Sequence, residues 1–177
     1  MISLDKQDIR RAVREQIKIL SSRDKERLSS LIFSKISELQ EIKNASTIAI
    51  FSSLPDEPQT ATFIEKLQPQ KRIVLPRING EEMDFYELSA GVQRGYFGIM
   101  EPIATTPISP SEIDVMIVPG VAFTPEGARL GRGKGFYDRY LSRKEFRAHT
   151  IGVCYPCQLL DELPTEPHDR RLNRIVY

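Results

Sequence analysis

The sequence predicts an α/β fold: a single three-layer domain with a mostly parallel sheet, preceded by N-terminal helices. Three observations predict it. Two amphipathic helical patterns fill the first 40 residues. Beyond them, short apolar runs rich in β-branched residues recur between helical and loop segments, as strands buried on both faces of a parallel sheet require. The chain has 177 residues, 40% of them hydrophobic and 28% charged, which suits one domain with one sizeable core.

In residues 4–19, Ile9, Val13 and Ile17 recur at every fourth position with Ala12 beside them, so one helix face is apolar. A second stripe, Lys6, Arg10, Arg14 and Lys18, is basic and reads either as a solvated face or as part of an anion site. Ser21 or Ser22 can cap a second helix with Leu28, Leu31, Ile32, Ile36 and Leu39 on its buried face. Strands are predicted over 47–51, 72–75, 114–118 and 150–154, with helices over 59–68 and 134–146. Residues 83–88 and 174–177 read as further strands at the sheet edges. The proline-rich stretches from Pro102 to Pro110 and from Pro156 to Pro167 read as ordered loops. No repeat, low-complexity tract or linker divides the chain, so residues 1–177 are expected to form one domain.

Composition narrows the function. A net charge of +1 and the lack of an RNA-binding motif argue against a nucleic-acid partner. No apolar run approaches the roughly 20 residues of a membrane span, and the start Met1-Ile-Ser-Leu-Asp-Lys6 lacks a signal-peptide pattern. The expectation is a cytoplasmic monomer without a membrane partner. Cys154-Tyr-Pro-Cys157 has the spacing of a redox pair or half a zinc site. Only His149 and His168 remain as further zinc ligands of similar kind, and the pair ends a late strand rather than opening a helix. Two ordinary thiols are expected.

Chemistry concentrates in Gly127-Ala-Arg-Leu-Gly-Arg-Gly-Lys-Gly-Phe-Tyr-Asp138. Glycines at 131, 133 and 135 let the backbone approach a bulky anion, and successive N–H groups in such a loop can form a phosphate-binding nest. Arg132 and Lys134 add positive charge, and Asp138 is placed to hold magnesium. Residues 127–147 carry seven Lys/Arg against two Asp/Glu, a local bias suited to an anion. The pattern is neither a P-loop, since Gly135 rather than Ser or Thr follows Lys134, nor a dinucleotide fingerprint, since the third glycine comes one residue early. A flexible surface turn with solvated charges is the competing reading. A preceding apolar run ending in Pro119-Gly120 and a following helical pattern favour an anion site at a strand–loop–helix junction. Ligands of open α/β sheets gather beyond the carboxyl ends of the strands, where Glu57, this loop and His168-Asp169 are all expected.

The segment from Pro119 to Arg139 closely resembles the 5-formyltetrahydrofolate cyclo-ligase (methenyltetrahydrofolate synthetase) family, and the resemblance runs along nearly the whole chain. Lys6 and Arg10 match that family's N-terminal ATP contacts, and Glu57 its folate-binding acid. Phe97-Gly-Ile-Met-Glu-Pro102 matches its aromatic-Gly-Ile-x-Glu-Pro loop, and His168-Asp169 its C-terminal acidic site. The resemblance implies a sugar-phosphate isomerase/CoA-transferase-like arrangement and an enzyme. ATP would drive closure of 5-formyltetrahydrofolate to 5,10-methenyltetrahydrofolate through an iminophosphate, with release of ADP and phosphate. Lys6, Arg10, Arg129, Gly131, Arg132, Gly133, Lys134, Gly135, Phe136 and Tyr137 would bind ATP, with Lys134 and Arg132 stabilising the transferring phosphoryl group. Glu57, Phe97, Phe136 and Tyr137 would bind folate, and Asp138 and Asp169 would bind Mg2+. Asn173 stands where relatives often carry Asp and is left out of the metal site, while Phe136 replaces a frequent Tyr and lacks its hydroxyl. The absence of a protein nucleophile motif fits a reaction whose attacking atoms belong to substrates. The alternatives are another ATP-dependent ligase on this scaffold and a nucleotide- or sugar-phosphate-sensing module without turnover.

Overall fold

The structure, a computed structural model, describes residues 5–95 and 98–177. Its frame is a six-stranded sheet whose order follows from which apolar runs can be buried on both faces. β1 (Thr47–Ala49) and β6 (Val115–Val118) lie at the centre, β2 (Arg72–Asn79) and β3 (Glu82–Glu87) on one side, and β9 (His149–Val153) and β10 (Arg174–Val176) on the other. All neighbours are parallel except β2 and β3, which form an antiparallel hairpin. The two runs expected at the edges, now β3 and β10, are the edge strands.

Side chains alternate across the sheet with period two. Ile48, Ile50, Ile73, Leu75, Val115, Ile117, Ile151 and Val153 face one layer, formed by α1 (Lys6–Ile19), α2 (Ser22–Glu38), α3 (Gln40–Asn44) and α4 (Ala61–Leu67). Ala49, Val74, Met116, Val118 and Cys154 face the other, where Tyr140 and Leu141 of α5 (Phe136–Leu141) and Leu172 cover them. Two small antiparallel ribbons complete the chain. β4 (Val92–Arg94) pairs with β5 (Met100–Pro102), and β7 (Ala122–Phe123) with β8 (Arg129–Leu130).

The N-terminal helices start where polar caps satisfy their free N–H groups. The Asp5 carboxylate accepts from the Gln7 and Asp8 amides, and the Ser21 hydroxyl from the Asp24 amide. The expected apolar face of α1 is buried. The face of α2 needs correction, because Leu31 is half-exposed while Ser29, Ile32, Phe33 and Ile36 are buried. At about 100° per residue Leu31 points away from that face, and Leu28 and Leu39 only flank it.

The second correction concerns α5, expected over 134–146 but only six residues long. Gly133 and Gly135 have φ of 101° and 68°, outside the right-handed helical region, so the helix cannot begin before Phe136. It ends where the Ser142 hydroxyl turns back to the Asp138 carbonyl and the chain enters turns before β9.

Two polar side chains fix strands at the end of the sheet away from the strands' carboxyl ends. Asp114 accepts from the Ser46 and Thr47 amides at 2.8 Å each, joining β6 to β1. Asn173 accepts from the Thr150 amide and hydroxyl, also at 2.8 Å, joining the approach to β10 to β9.

Cys154 and Cys157 are both unpaired. Burial pushes the Cys154 thiol up to about 12, and Cys157, half-buried, is also raised by burial. Since the thiolate is the nucleophile, native protein at pH 8 should leave Cys154 unmodified by a disulfide reagent and react only slowly at Cys157. Denaturant should expose two thiols. Rapid modification of both in the folded protein would contradict this burial.

Candidate active site

A cavity of about 500 Å³ opens at the carboxyl ends of the parallel strands. It lies where the chain reverses its direction across the sheet: β1 is followed by β2 on one side, while β6 lies on the other. Phe51, Ser52, Leu54 and Glu57 reach it from the loop after β1, and Pro119 and Gly120 from the end of β6. α1 contributes Lys6 and Arg10, and the C-terminal loop contributes Glu166, His168 and Asp169. The glycine segment supplies every residue from Arg129 to Asp138. Pro76, Ile78, Met83 and Ile99 form an apolar wall.

Every site residue predicted from the sequence therefore borders one cavity, apart from Phe97, which lies outside the described residues. Sequence reasoning missed the apolar wall, because Pro76, Ile78 and Met83 look like ordinary strand residues until β2 and β3 are folded. It also missed Glu166, whose only sequence signal is proximity to Asp169.

The glycine loop is tethered through its backbone. Arg10 donates from Nε to the Gly131 carbonyl at 2.8 Å, which ties α1 to the loop. Gly133 and Gly135 carry the positive φ values, whereas Gly131 does not. A Cβ on Gly131 would instead lie 2.8 Å from the Arg129 guanidinium, so that glycine makes room for a side chain rather than a turn. With α5 only six residues long, the dipole expected from a longer helix is small. Any attraction for an anion would come mainly from side chains and loop amides.

Three cations of the cavity, Lys6, Arg129 and Arg132, are bound to acids. Arg132 reaches Glu57 Oε1 from Nη2 at 3.0 Å and Asp56 at 2.6 Å. Arg129, almost fully buried, pairs with Asp138 at 2.9 Å, and its guanidinium lies over the Tyr137 ring at 5.5 Å. Lys6 bridges Glu166 at 3.1 Å and Asp169 at 3.0 Å. Burial alone would raise the Asp169 carboxyl, but the Glu166 N–H and the Lys6 ammonium hold it below the ordinary aspartate value. Lys134 is different. It is exposed, and among the described residues only its carbonyl enters a hydrogen bond, accepting from Arg139.

Glu57 is the most buried acid of the site, its side chain only 7% exposed. Its turn is built to hold it. The Leu54 amide donates to Oε2 at 2.9 Å, and the buried Tyr155 hydroxyl donates to the Glu57 carbonyl at 2.9 Å. Thr60 closes the loop by donating to the Phe51 carbonyl and accepting from the Ser53 amide. Tyr137 borders the same cavity, and burial, with the nearby Glu57 charge, raises its phenol well above the ordinary tyrosine value. It stays a neutral aromatic surface.

A metal would have to be shared with a ligand. Among the described residues no three His, Cys, Asp or Glu side chains gather closely enough to hold an ion by themselves. Asp138 and Asp169 border the same cavity, and each commits one carboxylate oxygen, Oδ2, to its partner cation. Such a donor set fits magnesium, which is commonly bound by one or two carboxylates together with substrate phosphates and water. Asn173, left out of the metal site, lies at the amino end of β9, bonded to Thr150, at the far end of the strands from these carboxylates.

Burial raises the Glu57 carboxyl above its ordinary value of 4.5, against the opposing pull of the Leu54 amide and Arg132. An acid with a raised folded pKa holds its proton more tightly in the native state, so ionising it reduces stability as pH rises past the unfolded value. Glu57→Gln should therefore melt no lower than the wild type at pH 7. Any gain should disappear below about pH 4.5, where both folded and unfolded Glu57 are protonated. A variant markedly less stable at pH 7 would mean that the Arg132 pair outweighs burial.

Comparison with known proteins places the chain in a family. The chain is 30% identical to the 5-formyltetrahydrofolate cyclo-ligase of Escherichia coli (strain K12), over 93% of this chain and 95% of that protein. Its fold matches the solved structure of Aquifex aeolicus 5,10-methenyltetrahydrofolate synthetase with a TM-score of 0.86 and 33% identity, covering 97% of this chain and 88% of that one. The Mycoplasma pneumoniae 5,10-methenyltetrahydrofolate synthetase gives a TM-score of 0.80 and 29% identity, covering 98% of each chain. Residues 2–177 fit the sequence profile of one enzyme family, and the chain belongs to it: the 5-formyltetrahydrofolate cyclo-ligase family.

Proposed function

We propose that this protein uses ATP to close 5-formyltetrahydrofolate to 5,10-methenyltetrahydrofolate, releasing ADP and phosphate, with magnesium taking part. The observation that carries the reading is the meeting, in one cavity, of a cationic glycine loop and an apolar wall with a buried acid. Family membership supports folate cyclo-ligase chemistry, and the cavity offers a chemically suitable place for each half of the proposed reaction.

A formamide oxygen is a poor leaving group and must be activated. The formyl oxygen attacks the γ-phosphorus of ATP, ADP departs, and an iminophosphate remains. Nitrogen-10 of the same folate attacks the activated carbon, a C–N bond forms, the C–O bond breaks, and phosphate leaves with the oxygen and takes up the proton that nitrogen-10 sheds. All attacking groups belong to substrates, so the protein's task is positioning and charge stabilisation.

Lys134 is suited to the transferring phosphoryl group because its exposed side chain, in the glycine loop that lines the cavity, has no hydrogen-bond partner among the described residues. Lys6, Arg10, Arg129 and Arg132 surround the polyphosphate, and the amides of the glycine loop supply further donors. Magnesium, when bound, would offset phosphate charge, with Asp138 and Asp169 as its protein ligands. Glu57 accepts from pterin N–H donors, while Phe136 and Tyr137, with Ile78 and Met83 opposite, offer packing for aromatic rings. Because Glu57 and Arg132 are hydrogen-bonded, the folate and nucleotide sides are coupled rather than separate.

Purified protein with 5-formyltetrahydrofolate, ATP and magnesium should produce methenyl-folate absorbance, with ADP and phosphate in equal amounts, and EDTA should stop it. Nucleotide binding with no turnover would point to a sensing module instead. Lys134→Ala should lower kcat at least tenfold, about 1.4 kcal/mol of barrier, without loss of fold. Unchanged kinetics would make Lys134 a solvated charge.

A further inference from the structure

Arg143, paired with Glu82 and Asp84, and the Phe85–Tyr137 contact dock α5 on the strand hairpin that carries the apolar wall, and a further side chain, Arg139, bridges the hairpin's turn to the glycine loop that carries Lys134. From α5 its Nη1 donates to the Lys134 carbonyl at 2.9 Å, and its Nη2 donates to the Glu81 carbonyl at 2.8 Å. Glu81 lies in the turn between β2 and β3, 58 residues away, flanked by Ile78 and Met83 of the cavity wall. The same guanidinium lies over the Phe136 ring, 5.2 Å from its centroid. A Cβ at Gly135 would come within 2.9 Å of Nη1, so the absence of a side chain there leaves the space that Arg139 occupies.

We propose that Arg139 is a positioning residue: a clamp that sets the separation between the cationic and apolar walls of the cavity and fixes the peptide that carries Lys134. Two carbonyls from distant segments demand two donors in one rigid plane, which a guanidinium supplies and an ammonium on a flexible stem does not. The side chain is exposed, so its bonds add little to global stability. Its effect is geometric. On the proposed reading of the reaction, the apolar wall packs folate while the loop that carries Lys134 holds the phosphates, and reacting atoms must be held at about 3–3.5 Å. A clamp between those walls acts on kcat through Lys134 without touching either substrate.

The test compares Arg139→Ala and Arg139→Lys with Arg147→Ala, which removes an exposed positive charge from the neighbouring segment. Both Arg139 variants should lose at least tenfold in kcat, with a Tm within about 4 °C of the wild type. Arg147→Ala should keep wild-type kinetics. Amide hydrogen exchange over residues 131–136 should accelerate in both Arg139 variants, measured on ligand-free protein. This readout needs no turnover, so the clamp stands or falls separately from the assigned reaction. Wild-type kcat in Arg139→Lys would reduce Arg139 to a surface charge and overturn the proposal, and so would unchanged loop exchange in Arg139→Ala.

Discussion

An ionised carboxylate withdrawn from water needs a cation or several donors, and much of this molecule follows from giving Glu57 both. The Leu54 amide and Arg132 hold its two oxygens, and Tyr155 holds its carbonyl from beneath. Tyr155 follows β9, Arg132 lies in the glycine loop, and Ser29 of α2 accepts from the adjacent Gln59 amide. Three parts of the chain far apart in sequence are thus committed to one turn. Even so, burial prevails over these partners and keeps the acid's pKa raised. Such a group is retained at some loss of stability, a pattern typical of residues kept for binding or catalysis.

The same constraint repeats around the cavity. Arg129 answers Asp138, Lys6 answers Asp169 and Glu166, and Arg132 answers Glu57 and Asp56. A cavity lined with unpaired cations would repel itself and resist closing; interleaved acids let it fold. On the proposed reading, polyphosphate would take over part of the pairing of Lys6 and Arg129, and Asp138 and Asp169 would be free to hold magnesium. Binding then exchanges one set of ion pairs for another, so little charge is stranded at any stage. Lys134, outside these pairs among the described residues, has no such exchange to make.

Much of this was legible in the sequence, for physical reasons that differ from element to element. Strands β1, β6 and β9 are short, doubly buried and β-branched, so their composition announces them. The glycine loop was legible because Gly133 and Gly135 adopt backbone angles that other residues rarely take. Leu31 was misplaced because a leucine near a helical stripe counts toward it until the stripe's angle is measured. Helix α5 was overextended because the apolar spacing continues to Phe146, which packs against the core from a turn. The pairing of Arg132 with Glu57 spans 75 residues and has no local signal, so the two looked like members of separate sites. Nor could sequence show that Arg139 faces Glu81 rather than solvent.

The short α5 also changes where the electrostatic work is done. A long helix would aim a fixed dipole at the phosphates from its N-terminus, independent of side-chain conformation. Here six residues follow a loop of glycines, and charge reaches the cavity on Lys6, Arg10, Arg129, Arg132 and Lys134. Side-chain charge is stronger than a partial dipole but must be held in place. That requirement accounts for Arg10 bonding to Gly131, Arg129 wedged between Asp138 and Tyr137, and Arg139 spanning to β2 and β3. The glycines that free the loop to wrap a ligand also deprive it of rigidity, and arginines on three sides return it. On the proposed reading, loop and arginines are therefore one device, and neither would position a phosphoryl group without the other.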